Sequence, residues 1–341
     1  MARLGRSTWA FGERQVAVIA ASTVAGTWEG QGPLSDAFDV RLDDDRAGQD
    51  SWERAEQAMF RRAAEIACKK AATRPGDLDL VIGADLNAQL TSFYMGLRGL
   101  ARPMLGVYSA CASICEALAV AGLAVATGFA DVVLAGTSSH TSTAERQFRY
   151  PTEYGVQRPP TAQRTVTGAG AAILARGRGK WQITHATIGE IADFGVRSPW
   201  EMGAAMAPAA CDTIRQHLAD TGRSLDDYDL VVTGDLGRVG LDILRHLLVE
   251  QGVASASLVQ ERVEDCGAMI YREDQPEVFS GGSGAACSAL VMFGHLFREM
   301  ERGRIHRLLL CATGALLSQV SAQQGDTIPS ISHAIAFERG D

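Results

Sequence analysis

The chain has 341 residues and a formal net charge of −8, from 32 Lys+Arg against 40 Asp+Glu, with 46% hydrophobic and 21% charged residues. That apolar share builds a large core and excludes a mainly disordered chain, while the acidic balance argues against a basic nucleic-acid-binding surface, so no nucleic-acid partner is expected. At ~150 residues per domain, the length suits two domains or one fold made of two halves.

Near the start, the apolar run VAVIAAS is short and follows a Trp, a Phe and several charges, so no signal peptide is expected. Trp52–Ala71 then sets Trp52, Ala55, Met59, Ala63 and Ile66 on one helical stripe, and the strand-like octapeptide DLVIGADL follows at Asp79–Leu86. MLGVYSA, Met104–Ala110, reads as a strand running into a small-residue helix, Cys111–Gly128, and DVVLAGT forms the next strand at Asp131–Thr137. A strand near Ala169–Gly177 closes this part, and the glycine-rich Gly177–Lys180 makes a joint. The order then repeats. A stripe of Met206, Ala210, Ile214 and Leu218 precedes DLVVTGDL at Asp229–Leu236. Glycine-rich Phe279–Leu290 opens a second small-residue helix, Gly284–Gly303, which leads to strands at Arg307–Gly314 and Ser332–Gly340. Strands alternating with helices of this length predict a duplicated α/β fold with mainly parallel sheets, its halves spanning residues 1–177 and 178–341.

The most apolar stretch, Ala117–Ala130, is short of the ~20 residues of a spanning helix. Seven cysteines, an odd number without a CxxC, predict reduced thiols rather than a disulfide framework. The expectation is a soluble protein of a reducing compartment, with any membrane association peripheral.

The polar insertion Ser138–Gly168 carries Arg146, Arg149, Arg158 and Arg164 against Glu145 and Glu153. It reads either as a solvated, partly interfacial loop or as a lid offering guanidinium forks to an anion. Its Phe148, Tyr150 and Tyr154 supply apolar anchors that favour an ordered segment over a crevice. Cys111 falls at a helix start, where the macrodipole is expected to lower a thiol pKa; the alternative is a small residue chosen for packing. Among the seven histidines, His140 stands out because it follows the C-terminal end of a strand, where open α/β sheets bind ligands. The glycines of Phe279–Leu290 suit either an anion-binding helix start or a tight turn, and they lack the Lys of a phosphate-binding loop. The run Asp43–Asp45 lacks Ca²⁺-loop spacing and reads as a solvated turn, so no metal site is expected.

Six stretches carry a resemblance: SSHTSTAERQFRYPTEYG, TAQRTVTGAGA, AMAPAACDTIRQHL, YDLVVTGDL, FSGGSGAACSA and ATGALLS. From QGPLSDAFD near Gln31 to AFER near Glu338, the chain resembles the stage V sporulation protein AD family of spore-forming bacteria, within the thiolase-like superfamily. The resemblance implies two similar βα halves in a layered α/β/α/β/α arrangement, with Cys111 at the nucleophile position. Condensing enzymes of that superfamily place a His where this chain has Thr233–Asp235, and a His or Asn where it has Gly281–Gly284. Both bases are missing by that alignment, so the implied function is non-catalytic.

By the same resemblance the protein binds dipicolinic acid and supports its uptake into the developing spore and its release in germination. It would act with other proteins of a sporulation channel assembly, peripherally on the spore inner membrane. No cofactor is implied; Ca²⁺ enters, if at all, as the ion carried with dipicolinate. Expected ligand-binding residues are Cys111, His140, Arg149, Ser139, Ser109, Asp235, Ser283 and Thr313, all from strand ends, helix starts or the insertion. Asp235 repels a dianion unless Ca²⁺ bridges them or an Arg pairs with it. Two other readings stay open: an acyltransferase or condensing enzyme acting through Cys111 with His140 or Asp235 as base, and a scaffold without a ligand. Relatives of the fold dimerise along the strand equivalent to Met104–Ala110, which makes a homodimer one implied state.

Overall fold

A computed structural model describes residues 1–12, 15–148, 157–177 and 179–340. In it the two repeated octapeptides become two strands anchored in the same way. Leu80–Ala84 and Leu230–Thr233 are apolar runs buried beyond their first residue. The aspartate heading each run ties down the neighbouring strand. Asp79 accepts from the amides of Asp131 and Val132 (2.9 and 3.0 Å), and Asp229 from those of His306 and Arg307 (2.7 and 2.9 Å).

The frame consists of β1 (Val16–Ala25), β2 (Leu80–Ala84), β3 (Met104–Gly106), β4 (Val132–Ser139) and β5 (Gly168–Arg176), then β6 (Trp181–Ile188), β7 (Leu230–Thr233), β8 (Val263–Asp265), β9 (Arg307–Ala315) and β10 (Ser330–Arg339). The first five lie in the order β3-β2-β4-β5-β1 and the second five in the order β8-β7-β9-β10-β6. In each set the first three strands are parallel and the fourth, β5 or β10, is antiparallel to both of its neighbours, so the fifth again runs with the first three. The sets meet where β6 pairs with β1 through Trp181–Val18 and Gln182–Ala17.

Helix α1 (Trp52–Lys70) starts where the Ser51 hydroxyl accepts the Arg54 amide (3.3 Å) and ends on Lys69 and Lys70, both favourable to the helix dipole. It buries Ala55, Met59 and Ala63 of the expected stripe, with Phe60 and Ala67 beside them, while Trp52 and Ile66 are only half-buried. Helix α2 (Ser113–Thr127) packs against β2 and β4 on one side and β9 and β10 on the other. By length and composition Ala110–Thr127 is apolar enough to cross a membrane, yet 72% of it is buried inside the protein. Helix α3 (Thr141–Phe148) follows β4, and α4 (Met202–Thr221) is the counterpart of α1.

The second small-residue helix departs from the expected continuous helix. It consists of α5 (Ala285–Leu290), a π turn at Val291–Leu296 and α6 (Phe297–Glu301). Gly294 in the π turn passes so close to Ala37 and Phe38 that a Cβ would stand 3.1 Å from both, and the wider turn accommodates that approach. All seven cysteines are buried and unpaired.

The amides of Val132 and Asp131 hold Asp79 below the usual carboxylate range. Its contribution is therefore complete above pH ~4 and fades as pH falls through the depressed value. Asp79→Ala and Asp229→Ala should each cost about 1 kcal/mol at pH 7, a modest figure because both sites face water, and the losses should add. Urea unfolding of the single and double variants measures this, and the Asp79→Ala deficit should shrink at pH 3.

Candidate functional site

Cys111 sits on a turn forced by its neighbours. Ala110 takes a left-handed conformation (φ 52°), uncommon for a residue with a Cβ, and this sets Cys111 two residues before α2. The Ser109 amide donates to the Ser113 hydroxyl (3.0 Å), which donates to the Ala110 carbonyl (2.7 Å), so the turn is tied to the helix start. Gly314 of β9 presses on the same turn; a Cβ there would collide with the Ser109 carbonyl.

Asp235, just past the end of β7, is buried beside the thiol. Thr313 of β9 donates its hydroxyl to one carboxyl oxygen (2.5 Å); the Gly284 amide (3.3 Å) and Ser283 hydroxyl (3.4 Å) donate to the other. The Ser283 hydroxyl also lies 4.0 Å from the Cys111 sulfur. Ser283 is held by parallel pairing of Gly282–Ser283 with Arg164–Thr165, so the end of the insertion positions it. Cys111, Asp235, Ser283 and Thr313 therefore converge. Ser109 adjoins them, and Ser139 joins the start of α5 by accepting from the Ala286 amide (3.1 Å) while donating to the Val166 carbonyl (2.7 Å).

His140 does not join this group. Its Nδ1 accepts the Ser142 amide (3.1 Å), which leaves Nε2 to donate to the Asp45 carbonyl (3.0 Å), and its ring lies 5.2 Å from Trp52. Burial holds its pKa below the usual value, which favours the neutral ring. Three of the insertion's arginines are engaged: Arg146 with Glu53, Arg158 with Glu145 (3.7 Å), and Arg164 with Glu277 (3.7 Å) and over the Trp28 ring (4.3 Å). Arg149, Tyr150 and Tyr154 lie outside the described residues.

The cavity beside Cys111 has a volume of about 30 Å³. Ser283 and Thr165 border it with Leu86, Phe148, Met202 and Leu317, and no histidine is among its described lining residues. One positioning residue was not anticipated from the sequence. Asp265 accepts from the Leu236 and Gly237 amides (2.8 and 2.9 Å) and from the Thr233 hydroxyl (2.8 Å), which fixes the chain on both sides of Asp235. Its local signal is slight, since it is the second of two acidic residues after a single valine, Val263.

A family model described as Stage V sporulation protein AD (SpoVAD) matches residues 5–338. A Bacillus subtilis (strain 168) protein described as stage V sporulation protein AD is 47% identical over 98% of this chain and 97% of its own length. The chain belongs to the stage V sporulation protein AD family. Among solved structures, the 3-oxoacyl-[acyl-carrier-protein] synthase III of Aquifex aeolicus VF5 superposes with a TM-score of 0.59 at 15% identity, covering 95% of this chain and 99% of that one. The acetyl-CoA acetyltransferase of Syntrophomonas wolfei gives 0.59 at 12% identity, with the same coverages. At such identities the likeness shows the fold, which is thiolase-like.

Burial and the neighbouring Asp235 raise the Cys111 pKa well above the usual 9.0, outweighing the Ser283 hydroxyl and Gly284 amide that lower it. This corrects the expectation of a lowered value at the helix start: Cys111 precedes the first helical turn, and desolvation outweighs what a dipole of that length supplies. Burial likewise lifts Asp235 from 3.8 to about 7. The unfolded chain ionises Asp235 near pH 4 and the folded chain near 7, so stability falls as pH rises across that interval and is level above it. Asp235→Asn removes this dependence. Whatever the substitution costs at pH 5, the gap to the unmodified protein should narrow by pH 8, as read by thermal unfolding at both values.

Proposed function

We propose that this protein binds dipicolinate without turning it over, in the crevice that Cys111 and Asp235 floor, and that binding serves dipicolinate uptake into the forming spore and its release in germination. The observation that carries this reading is the partner of Cys111: a carboxyl group stands against the thiol, and no imidazole borders the cavity among the described residues. A thiol held protonated beside an acid is a poor nucleophile, yet the turn, hydroxyls and amides that frame it remain. With its pKa near 7, Asp235 is largely neutral in mildly acidic conditions and then does not repel a ligand carboxylate. Family membership supports the same reading.

The cavity holds about one water at its present volume, so admitting dipicolinate requires the Phe148, Met202 and Leu317 side chains to swing aside. Methionine suits such movement. Ser139 and Ser109 support the floor, Arg149 offers a guanidinium fork to a carboxylate, and His140 acts through the Asp45 loop. Ca²⁺ travels as cargo with the ligand. The protein works with other members of a sporulation channel assembly at the spore inner membrane, where it sits peripherally. It pairs with a second copy along β3, whose outer edge exposes Leu105 (45%) with Tyr108 (46%) just beyond.

Calorimetry with dipicolinate, alone and with Ca²⁺, tests the reading. Cys111→Ser should keep most of the affinity, Cys111→Leu should abolish it, and Arg149→Ala should weaken it by ~1.5–3 kcal/mol. No heat of binding by the unmodified protein would leave the scaffold reading. The retained Cys111 turn and the fold of its condensing-enzyme neighbours favour a second reading, acyl transfer through Cys111. Incubation with an acyl-CoA followed by intact mass decides it, since an adduct lost in Cys111→Ser would establish the enzyme. Leu105→Asp should halve the mass seen by light scattering.

A further inference from the structure

We propose that a second cavity, of about 390 Å³ at the seam between the two strand sets, binds a small flat organic carboxylate. It shares no described lining residue with the Cys111 crevice and does not rest on the dipicolinate reading. The seam opens because β1 and β6 pair only through Trp181–Val18 and Gln182–Ala17. The next residues outward, Ile19 and Lys180, are unpaired across the seam and border the space.

Two irregularities fall on the walls of this one cavity. β1 slips register against β5 between Val18 and Ala20, and the helix opposite contains the π turn that carries Phe293. Each interrupts a regular element, and such bulges recur where proteins shape sites. The back wall is aromatic and rigid. Trp181 and Phe297 stack 4.1 Å apart at 11°, Phe293 lies 5.6 Å from Phe297, and the Trp181 indole N–H donates to the Phe297 carbonyl (3.2 Å).

The rim is cationic by one charge, with Lys70, Lys180 and Arg298 against Asp39 and Glu301. Lys70 pairs with Asp39 (2.7 Å) and Lys180 with Glu301 (2.8 Å). Arg298 donates to the Asp36 carbonyl (2.5 Å) and has no carboxylate partner among the described residues. The Lys180–Glu301 pair lies in water, the lysine side chain 66% exposed, so it yields readily to a competing anion. An apolar aromatic wall beside an unmatched guanidinium selects a ligand with a flat body and a carboxylate, and the volume suits a small molecule.

The test is calorimetry of the full chain with naphthoate, using acetate as a charge-only probe and naphthamide as an uncharged one. Naphthoate should bind while acetate and naphthamide bind at least ~10-fold more weakly. Arg298→Gln should weaken naphthoate ~10-fold or more, and Ala37→Leu, which fills the cavity, should abolish binding while the thermal transition stays cooperative. If Ala37→Leu does not fold, the Arg298→Gln titration alone decides. Naphthoate affinity that survives Arg298→Gln, equal binding of the uncharged probe, or no binding at all would overturn the proposal.

Discussion

Helix α2 is covered on almost every side, because its sequence, SICEALAVAGLAVAT, offers Glu116 as its one charged residue. A helix without a polar face cannot lie on the surface of a protein in water, so two sheets have to close over it. β2 and β4 supply one wall and β9 and β10 the other, which is how the two strand sets come to lie on either side of one helix. The small residues let these walls approach closely. At Gly122 a Cβ would stand only 3.0 Å from the Phe11 ring, and overpacking at such a point typically costs ~1–3 kcal/mol. Fixing α2 also fixes the turn ahead of it. Ser109 and Gly314 touch there, and Cys111 has no freedom to leave Asp235 and Ser283.

The same burial governs the charges. The two aspartates of DLVIGADL are shifted in opposite directions although only five residues separate them. Asp79 faces water and is lowered by the Val132 and Asp131 amides, whereas burial raises Asp85 despite its bonds from the Phe93 and Asn87 amides. Glu29, buried against the Tyr271 hydroxyl, is lifted to about 7 by desolvation, as Asp235 is, and Asp265 to about 6. Hydrogen bonds from neutral donors therefore fail to offset the loss of water in this interior. The crevice is less negative near neutral pH than its acidic residues suggest.

Much of the fold was legible because its signals are local. The octapeptides, the α1 stripe and the small-residue helix at Cys111 each declare themselves within about 20 residues, and the structure places strands and helices there. The site was legible in part. Cys111, Asp235, Ser283 and Thr313 all end strands or begin helices, positions that a layered α/β fold gathers at one edge. What stayed hidden depends on distant partners. His140 follows a strand as expected, but Asp45, far back in the chain, decides what its ring does. The net positive insertion suggested free guanidinium groups, yet Glu53 and Glu277, from outside the insertion, take two of them and Glu145 a third. The π turn had no signal in the apolar spacing, since Leu290, Phe293 and Phe297 fit an ordinary helix. The raised thiol pKa has the same kind of origin: the helix start is local, whereas burial and Asp235 come from the fold.

As the partner of a thiol, Asp235 is chemically unlike an imidazole. When an imidazole takes a thiol proton, it becomes a cation beside the new thiolate, and the ion pair stabilises both charges in a dry site. A carboxylate that takes the same proton becomes a neutral acid and leaves the thiolate as a lone buried anion, which such an interior strongly disfavours. The mismatch is also one of proton affinity, because Asp235 near 7 cannot hold a proton against a thiolate whose own pKa lies well above 9.0. Both shifts favour a protonated sulfur, with any charge of the pair on the carboxylate. Such a floor disfavours a thiolate, and its charge can be quenched by a proton or by a cation arriving with a ligand. The proposed binding and release of dipicolinate calls for that adjustable, non-nucleophilic character more than for a reactive thiol.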